Sequence, residues 1–130
     1  MAKNKNLSGN LFTRQPLTIT ETALSASICD YLDARRIYND RLNSGKIFTG
    51  NYVVHLCKTG TPDRFAIVRG TAVFIEVKKK DKKPTPEQTE RHAELRRAGA
   101  VVITTDSYDD FVRQFKEVES NTKTSMRPGV

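Results

Sequence analysis

The 130 residues contain no tryptophan, two cysteines and five prolines, and no apolar run approaches the length of a membrane span. Each scarcity excludes something. Cys29 and Cys57 have neither metal-ligand spacing nor the numbers for a disulfide framework, so they read as small buried hydrophobes in a protein of the reducing cytoplasm. The opening Met1-Ala2-Lys3-Asn4-Lys5 lacks the apolar core of a signal peptide, and a soluble, unexported chain is expected, in the host cytoplasm if the source is viral. Acid is the scarcer charge, with 15 Asp and Glu against 22 Lys and Arg. The resulting net charge of +7 favours a polyanionic partner, which for a cytoplasmic protein means nucleic acid, DNA or RNA alike. A hydrophobic fraction of 37% at this length suffices for one domain with a modest core.

What the chain does have is concentrated between Gly60 and Lys78. Ala72-Val73-Phe74-Ile75-Glu76-Val77-Lys78 is β-branched and aromatic, the composition of a buried strand, yet it carries an acid and a base two residues apart. That is the strand period, so Glu76 and Lys78 share one face about 7 Å apart and Val77 takes the other. Buried charges are costly unless they are paired or hold a metal. Decoration of a half-exposed edge strand is the ordinary explanation of a lone Glu-x-Lys.

Asp63 supplies a second carboxylate. It follows Pro62 and opens Arg64-Phe65-Ala66-Ile67-Val68, a strand that the tight Arg69-Gly70 turn pairs with the one holding Glu76. Asp63 at the start of one arm and Glu76 near the end of the other then lie at the same end of a hairpin, close enough to share a cation. Oxygen donors without soft ones point to Mg²⁺ or Mn²⁺.

The set Gly60 and Asp63, Glu76-Val77-Lys78, Thr85-Pro86-Glu87-Gln88, and Gly99-Ala100, preceded by the helix-opening Glu21, resembles the virus-type replication-repair nuclease (VRR-NUC) family of the PD-(D/E)xK superfamily. The resemblance runs from about Thr20 to Phe115. It implies a restriction-endonuclease-like core, a catalytic set of Asp63, Glu76, Lys78, Gln88 and Glu21, and a metal held by Asp63, Glu76, the Val77 carbonyl and Glu21. Two of these have structural readings of their own. Glu21 suits the positive end of a helix dipole, and Gln88 closes a Thr-x-x-Gln capping box.

Along the chain, residues 1–16 read as a flexible basic arm with Lys3, Lys5 and Arg14, residues 17–117 as the nuclease-like domain, and residues 118–130 as a disordered tail. Thr20 caps a helix to about Arg36 with Leu24, Ile28, Tyr31 and Leu32 on one side. Arg41, in the turn from Arg41 to Gly45, is a candidate phosphate ligand. Lys46–Phe48 and Tyr52–Leu56 suggest a hairpin. Lys79, Lys80, Lys82 and Lys83 leave the end of the Glu76 strand and are candidates to position phosphate. A helix from Pro86 with Gly99 at its C-cap, a strand from Ala100 to Thr104 and a Ser107-capped helix complete the pattern. His92 reads as a packing residue.

This order predicts one α/β domain, a mixed sheet flanked by helices on both faces with the Glu76 strand central. The function expected is metal-dependent DNA hydrolysis, on branched or four-way DNA as a homodimer. A nicking or flap-cutting monomer and a non-catalytic nucleic-acid binding domain are the alternatives.

Overall fold

The computed structural model describes residues 20–43 and 45–125. Residues 1–19 (which include the arm expected at 1–16), Ser44 and the last five residues lie outside them. The elements in chain order are α1 (Glu21–Ala34), β1 (Asn39–Arg41), β2 (Lys46–Phe48), β3 (Val53–His55), β4 (Arg64–Val68), β5 (Thr71–Val77), α2 (Pro86–Arg97), β6 (Val101–Thr105) and α3 (Tyr108–Ser125).

Four strands form the main sheet in the order β1-β4-β5-β6. The β4–β5 hairpin is antiparallel, and β6 returns parallel to β5 after α2, so the sheet is mixed and β5 is internal. Alternation assigns the two faces. Ala66, Val68, Val73, Ile75 and Val77 point into one core with Leu24, Ile28 and Leu32 of α1 and Phe111, Phe115 and Val118 of α3. Tyr31 links these helices, with edge-to-face contacts to Phe111 and Phe115 at 5.7 and 6.0 Å. Phe65, Ile67, Phe74 and Glu76 take the opposite face, where α2 packs. The α/β domain with helices on both faces is the architecture that the element order predicts.

Local signals end the elements as expected. Thr20 Oγ1 accepts the Ala23 N–H at 3.0 Å, and Ser107 Oγ accepts the Asp110 N–H at 3.1 Å. Gly99 follows α2 at φ 101°, a left-handed value that a Cβ would penalise.

Two expectations need correction. The disordered tail does not begin at 118: α3 continues to Ser125, because Val118 and Thr122 are buried at its inner side. Arg41 is not in a turn but closes β1, a three-residue edge strand whose Asn-Asp-Arg sequence carries no strand signal and which pairs through Asn39–Ala66, Asp40–Phe65 and Arg41–Arg64. The hairpin expected from Lys46–Phe48 and Tyr52–Leu56 is present: β2 and β3 pair Lys46 with His55 and Phe48 with Val53, as a two-stranded sheet apart from the main one.

Candidate active site

The hairpin register builds the centre of the site. Arg64 pairs with Ile75, and one further step sets Asp63 opposite Glu76 on the same face of the sheet. Asp63 is fixed at two points. Its Oδ2 accepts the Val77 N–H at 3.2 Å, and its carbonyl accepts the Leu42 N–H at 2.7 Å. The second bond also puts Arg41 at the Asp63 end of the sheet, with an exposed side chain.

Gly60 explains the rest of the approach. Its φ is +88°, and a Cβ on it would stand 2.4 Å from the Glu87 carbonyl oxygen and 2.9 Å from the Gln88 nitrogen. The loop that delivers Asp63 therefore rests directly on the first turn of α2. Both neighbours are backbone and cannot step aside, so Gly60→Ala is expected to destabilise by about 2–4 kcal/mol. Gly50→Ala, at φ +91° with open space around it, should cost only about 1 kcal/mol. Thermal unfolding of the two variants checks the difference.

Glu76 is 3% exposed, and its Oε1 has no hydrogen-bond partner. Burial, the neighbouring Asp63 charge and a hydrogen bond with Asp63 push its pKa up to about 8, against a smaller pull from Lys78 in the other direction. The carboxyl is therefore mainly protonated at neutral pH. Across from it, His92 Nε2 lies 3.8 Å from Glu76 Oε1, is also buried and also lacks a hydrogen-bond partner. Burial first, then the charges of Arg96 and Lys78, hold the His92 pKa below the usual imidazole value. A neutral imidazole thus faces a protonated acid. Sequence reasoning had His92 as packing alone; its position one helical turn after Gln88 was the available signal.

The other expected residues distribute around this pair. Lys78 is half-buried just past β5, where its N–H donates to the Thr105 carbonyl at 2.9 Å. Glu21 arrives from α1 at the same end, and its Oε2 accepts the Lys79 N–H at 3.0 Å. Lys79, Lys80, Lys82 and Lys83 are exposed on the loop that follows. Gln88 is in the capping box: its Oε1 accepts the Thr85 N–H at 2.9 Å, while Thr85 Oγ1 accepts the Gln88 N–H at 3.1 Å. The structural reading of Gln88 is realised, and its side-chain amide nitrogen has no part in the cap.

Among the described residues no three His, Cys, Asp or Glu side chains are grouped as a metal site. The carboxylates form a pair, Asp63 and Glu76, with Glu21 turned to the Lys79 backbone. The pair still fits a hard divalent cation on its own chemistry. Two acids are held face to face, one has an orphaned buried oxygen, and a cation between them would offset the burial and the repulsion that now keep a proton on Glu76.

No family model matches the chain. A solved structure described as a VRR_NUC domain protein superposes with a TM-score of 0.52 at 21% identity, covering 77% of this chain and 88% of that one. The fold is shared. A protein of Acyrthosiphon pisum secondary endosymbiont phage 1 with the name "Putative nuclease p44" is 43% identical over 53 residues, which is 40% of this chain and 57% of the relative's length. The resemblance to the VRR-NUC family read from the motifs agrees with both findings.

Proposed function

We propose that this chain, with its VRR-NUC fold, is a Mg²⁺- or Mn²⁺-dependent endonuclease that hydrolyses DNA phosphodiesters. One observation carries the reading: a buried Glu76 carboxyl opposite Asp63, with its Oε1 left without a partner, beside Lys78 and a run of exposed lysines. Asp63 and Glu76 would hold the cation with the Val77 carbonyl, and Glu21 would add a carboxylate from α1. Such a cation, when held there, would supply the positive charge that polarises a phosphoryl oxygen and makes water easier to deprotonate. Val77 keeps the Asp63 carboxylate aimed through its N–H, and His92 with the α2 packing keeps bulk water from Glu76. Lys78 neutralises charge building on the phosphoryl group.

The exposed lysines position the backbone without reading sequence. Replacing Lys79, Lys80, Lys82 and Lys83 by Ala should weaken binding to all sequences alike. Each lysine that touches a phosphate should also remove about one unit from the slope of log K against log salt. A titration by fluorescence anisotropy at several salt concentrations measures both.

The substrate we propose is branched DNA, a four-way junction first, cut by a two-fold dimer. One small domain with a single site breaks one strand, whereas paired symmetric cuts need two sites related by the substrate's own symmetry. The apolar face of α1 is used in the core, which leaves the β2–β3 hairpin as the dimer surface. Ile47, Tyr52, Val54 and Leu56 alternate onto one of its faces, each at least 39% exposed, and a lone two-stranded hairpin is only marginally stable in water.

The test is a gel assay with single-stranded, duplex, flap and four-way DNA, in Mg²⁺, Mn²⁺ or EDTA, together with light scattering and a cruciform plasmid. Paired cuts by a dimer are expected. Binding without metal-dependent cutting would leave a nucleic-acid binding domain, and single nicks by a monomer would remove the junction-resolving role while keeping the nuclease.

A further inference from the structure

At the far end of the β4–β5 hairpin from Glu76, two arginines occupy backbone positions that suit glycine or asparagine. Arg36 has φ 60° and Arg69 has φ 48°; Asp81 is the only other described non-glycine residue with positive φ. Arg36 follows the C-cap of α1, where the Arg36 N–H donates to Asp33 O and the Ile37 N–H to Leu32 O, both at 2.9 Å. Glycine is usual at that point of this motif. Arg69 is the first residue of the two-residue β4–β5 turn, where Asn, Asp or Gly relieves the backbone. Local preference is overridden twice, and places where it is overridden concentrate at functional sites.

Both arginines line one cavity of about 520 Å³, together with Arg35, Glu119, Tyr38 and Ile67. Three guanidinium groups there meet one carboxylate. Arg35 holds Glu119 bidentately at 2.8 and 2.9 Å, and Arg69 donates to the Glu119 carbonyl and Thr122 Oγ1, both at 3.3 Å. Those contacts give Arg35 and Arg69 structural work in tying α3 to the rest of the domain. The Arg36 guanidinium is exposed and has no hydrogen-bond or ion-pair partner among the described residues. Its wall is aromatic and apolar: Tyr38 is 64% exposed and Ile67 41%, joined by the Ile67 N–H to the Tyr38 carbonyl at 3.0 Å.

The cavity straddles the end of the sheet: Arg35, Val68 and Glu119 line it from the core side, and Tyr38 and Ile67 line it from the side that carries Glu76. Alternation along β1, β4 and β5 puts Tyr38, Ile67, Phe65, Phe74, Asp63 and Glu76 on the same face of the sheet. Asp40 shares that face near its middle, with its Oδ1 turned to accept its neighbour's Arg41 N–H at 2.7 Å. From Thr71, at the turn, to Glu76 is roughly 17 Å of strand. Phosphates in one DNA strand repeat about every 3.4 Å along the axis, so the separation corresponds to about five nucleotides.

We propose that the cavity between Arg36, Arg69 and Tyr38 is a second DNA-backbone site, which holds a phosphate of the substrate about five nucleotides from the scissile one. It depends on the nuclease reading above and adds to it where the uncut part of the duplex lies. Arg36 takes the phosphate as a guanidinium fork, and the Tyr38 ring and Ile67 receive the adjoining nucleoside without regard to sequence.

Arg36→Gly separates function from structure, because glycine relaxes the left-handed backbone while removing the cation. Binding of the full chain, in EDTA so that nothing is cut, is measured by anisotropy on hairpin-capped stems of 5 and 16 base pairs across a range of salt. Arg36→Gly is expected to unfold at or above the wild-type temperature. It should bind the long stem 5- to 10-fold more weakly with a salt slope lower by about one, and the short stem as wild type does. Arg36→Gly with Tyr38→Ala should lose more on the long stem alone. Wild-type affinity and slope for the long stem in Arg36→Gly, or equal losses on both stems, would overturn the site. So would stabilisation of the wild type, but not Arg36→Gly, by inorganic phosphate with unchanged DNA binding, which would make it a free-anion pocket. A wild type that binds neither stem, nor a four-way junction with arms of 16 base pairs, would overturn the nuclease reading itself, and this site with it.

Discussion

Glu76→Gln and Asp63→Asn are each expected to abolish cleavage while leaving the fold and DNA binding intact. Each change removes a charge that would hold the cation but almost no volume. The contribution at stake is several kcal/mol of transition-state stabilisation, and at about 1.4 kcal/mol per tenfold this is a loss on the order of 10³ in rate or more. Folding should survive because the Glu76 carboxyl, with its pKa raised to about 8, is already mainly neutral at pH 7 in the metal-free protein. Glutamine copies that neutral state. Binding should persist or tighten, since repulsion between carboxylate and phosphate falls. Single-turnover cleavage in Mg²⁺, beside anisotropy in EDTA, reads both halves. A variant that cut at the wild-type rate would refute the assignment of the pair.

The second large effect is on stability. In the unfolded chain Glu76 loses its proton near 4.5, whereas the folded protein keeps it until about 8. Between those values the native state binds more protons than the unfolded one, so stability falls as pH rises, by up to about 1.4 kcal/mol per pH unit. His92 works in the opposite sense at lower pH. Its folded value lies below 6.5, so the unfolded state binds more protons there and stability rises with pH until about 6.5. The two slopes oppose each other below 6.5, and only that of Glu76 remains from there to 8. In EDTA the wild type should therefore lose about 2 kcal/mol between pH 6.5 and 8, a fall in Tm of roughly 5–10 °C. Glu76→Gln should be flat over the same range. Mn²⁺ added at pH 8 should restore the wild type and leave the variant unchanged, because the ionised pair binds metal and a bound ligand stabilises the native state. A wild-type Tm that does not change with pH in EDTA would show that Glu76 ionises normally and is not buried against Asp63.

Much of the candidate site is readable along the chain because its parts are local. Glu76 and Lys78 share a face by the strand period. The two-residue Arg69-Gly70 turn fixes the hairpin register, and that register sets Asp63 opposite Glu76. The capping box at Thr85 and Gln88 spans three residues and forms as written.

What the sequence by itself determined was therefore the element order apart from β1, the Asp63–Glu76 hairpin and the lysine loop, all set by periodicity and turn chemistry over a few residues. Only the tertiary structure decided the rest. Glu21 meets Lys79 across 58 positions, and His92 reaches Glu76 from a different element. β1 is a strand only because β4 offers it an edge, and α3 runs to Ser125 because the core still has room for Val118 and Thr122. Arg36 and Arg69, 33 residues apart, meet at one cavity because a helix end and a hairpin turn reach the same corner of the sheet. No local pattern encodes such meetings. They follow from which apolar faces pack together, and that is settled when the whole chain closes on one core.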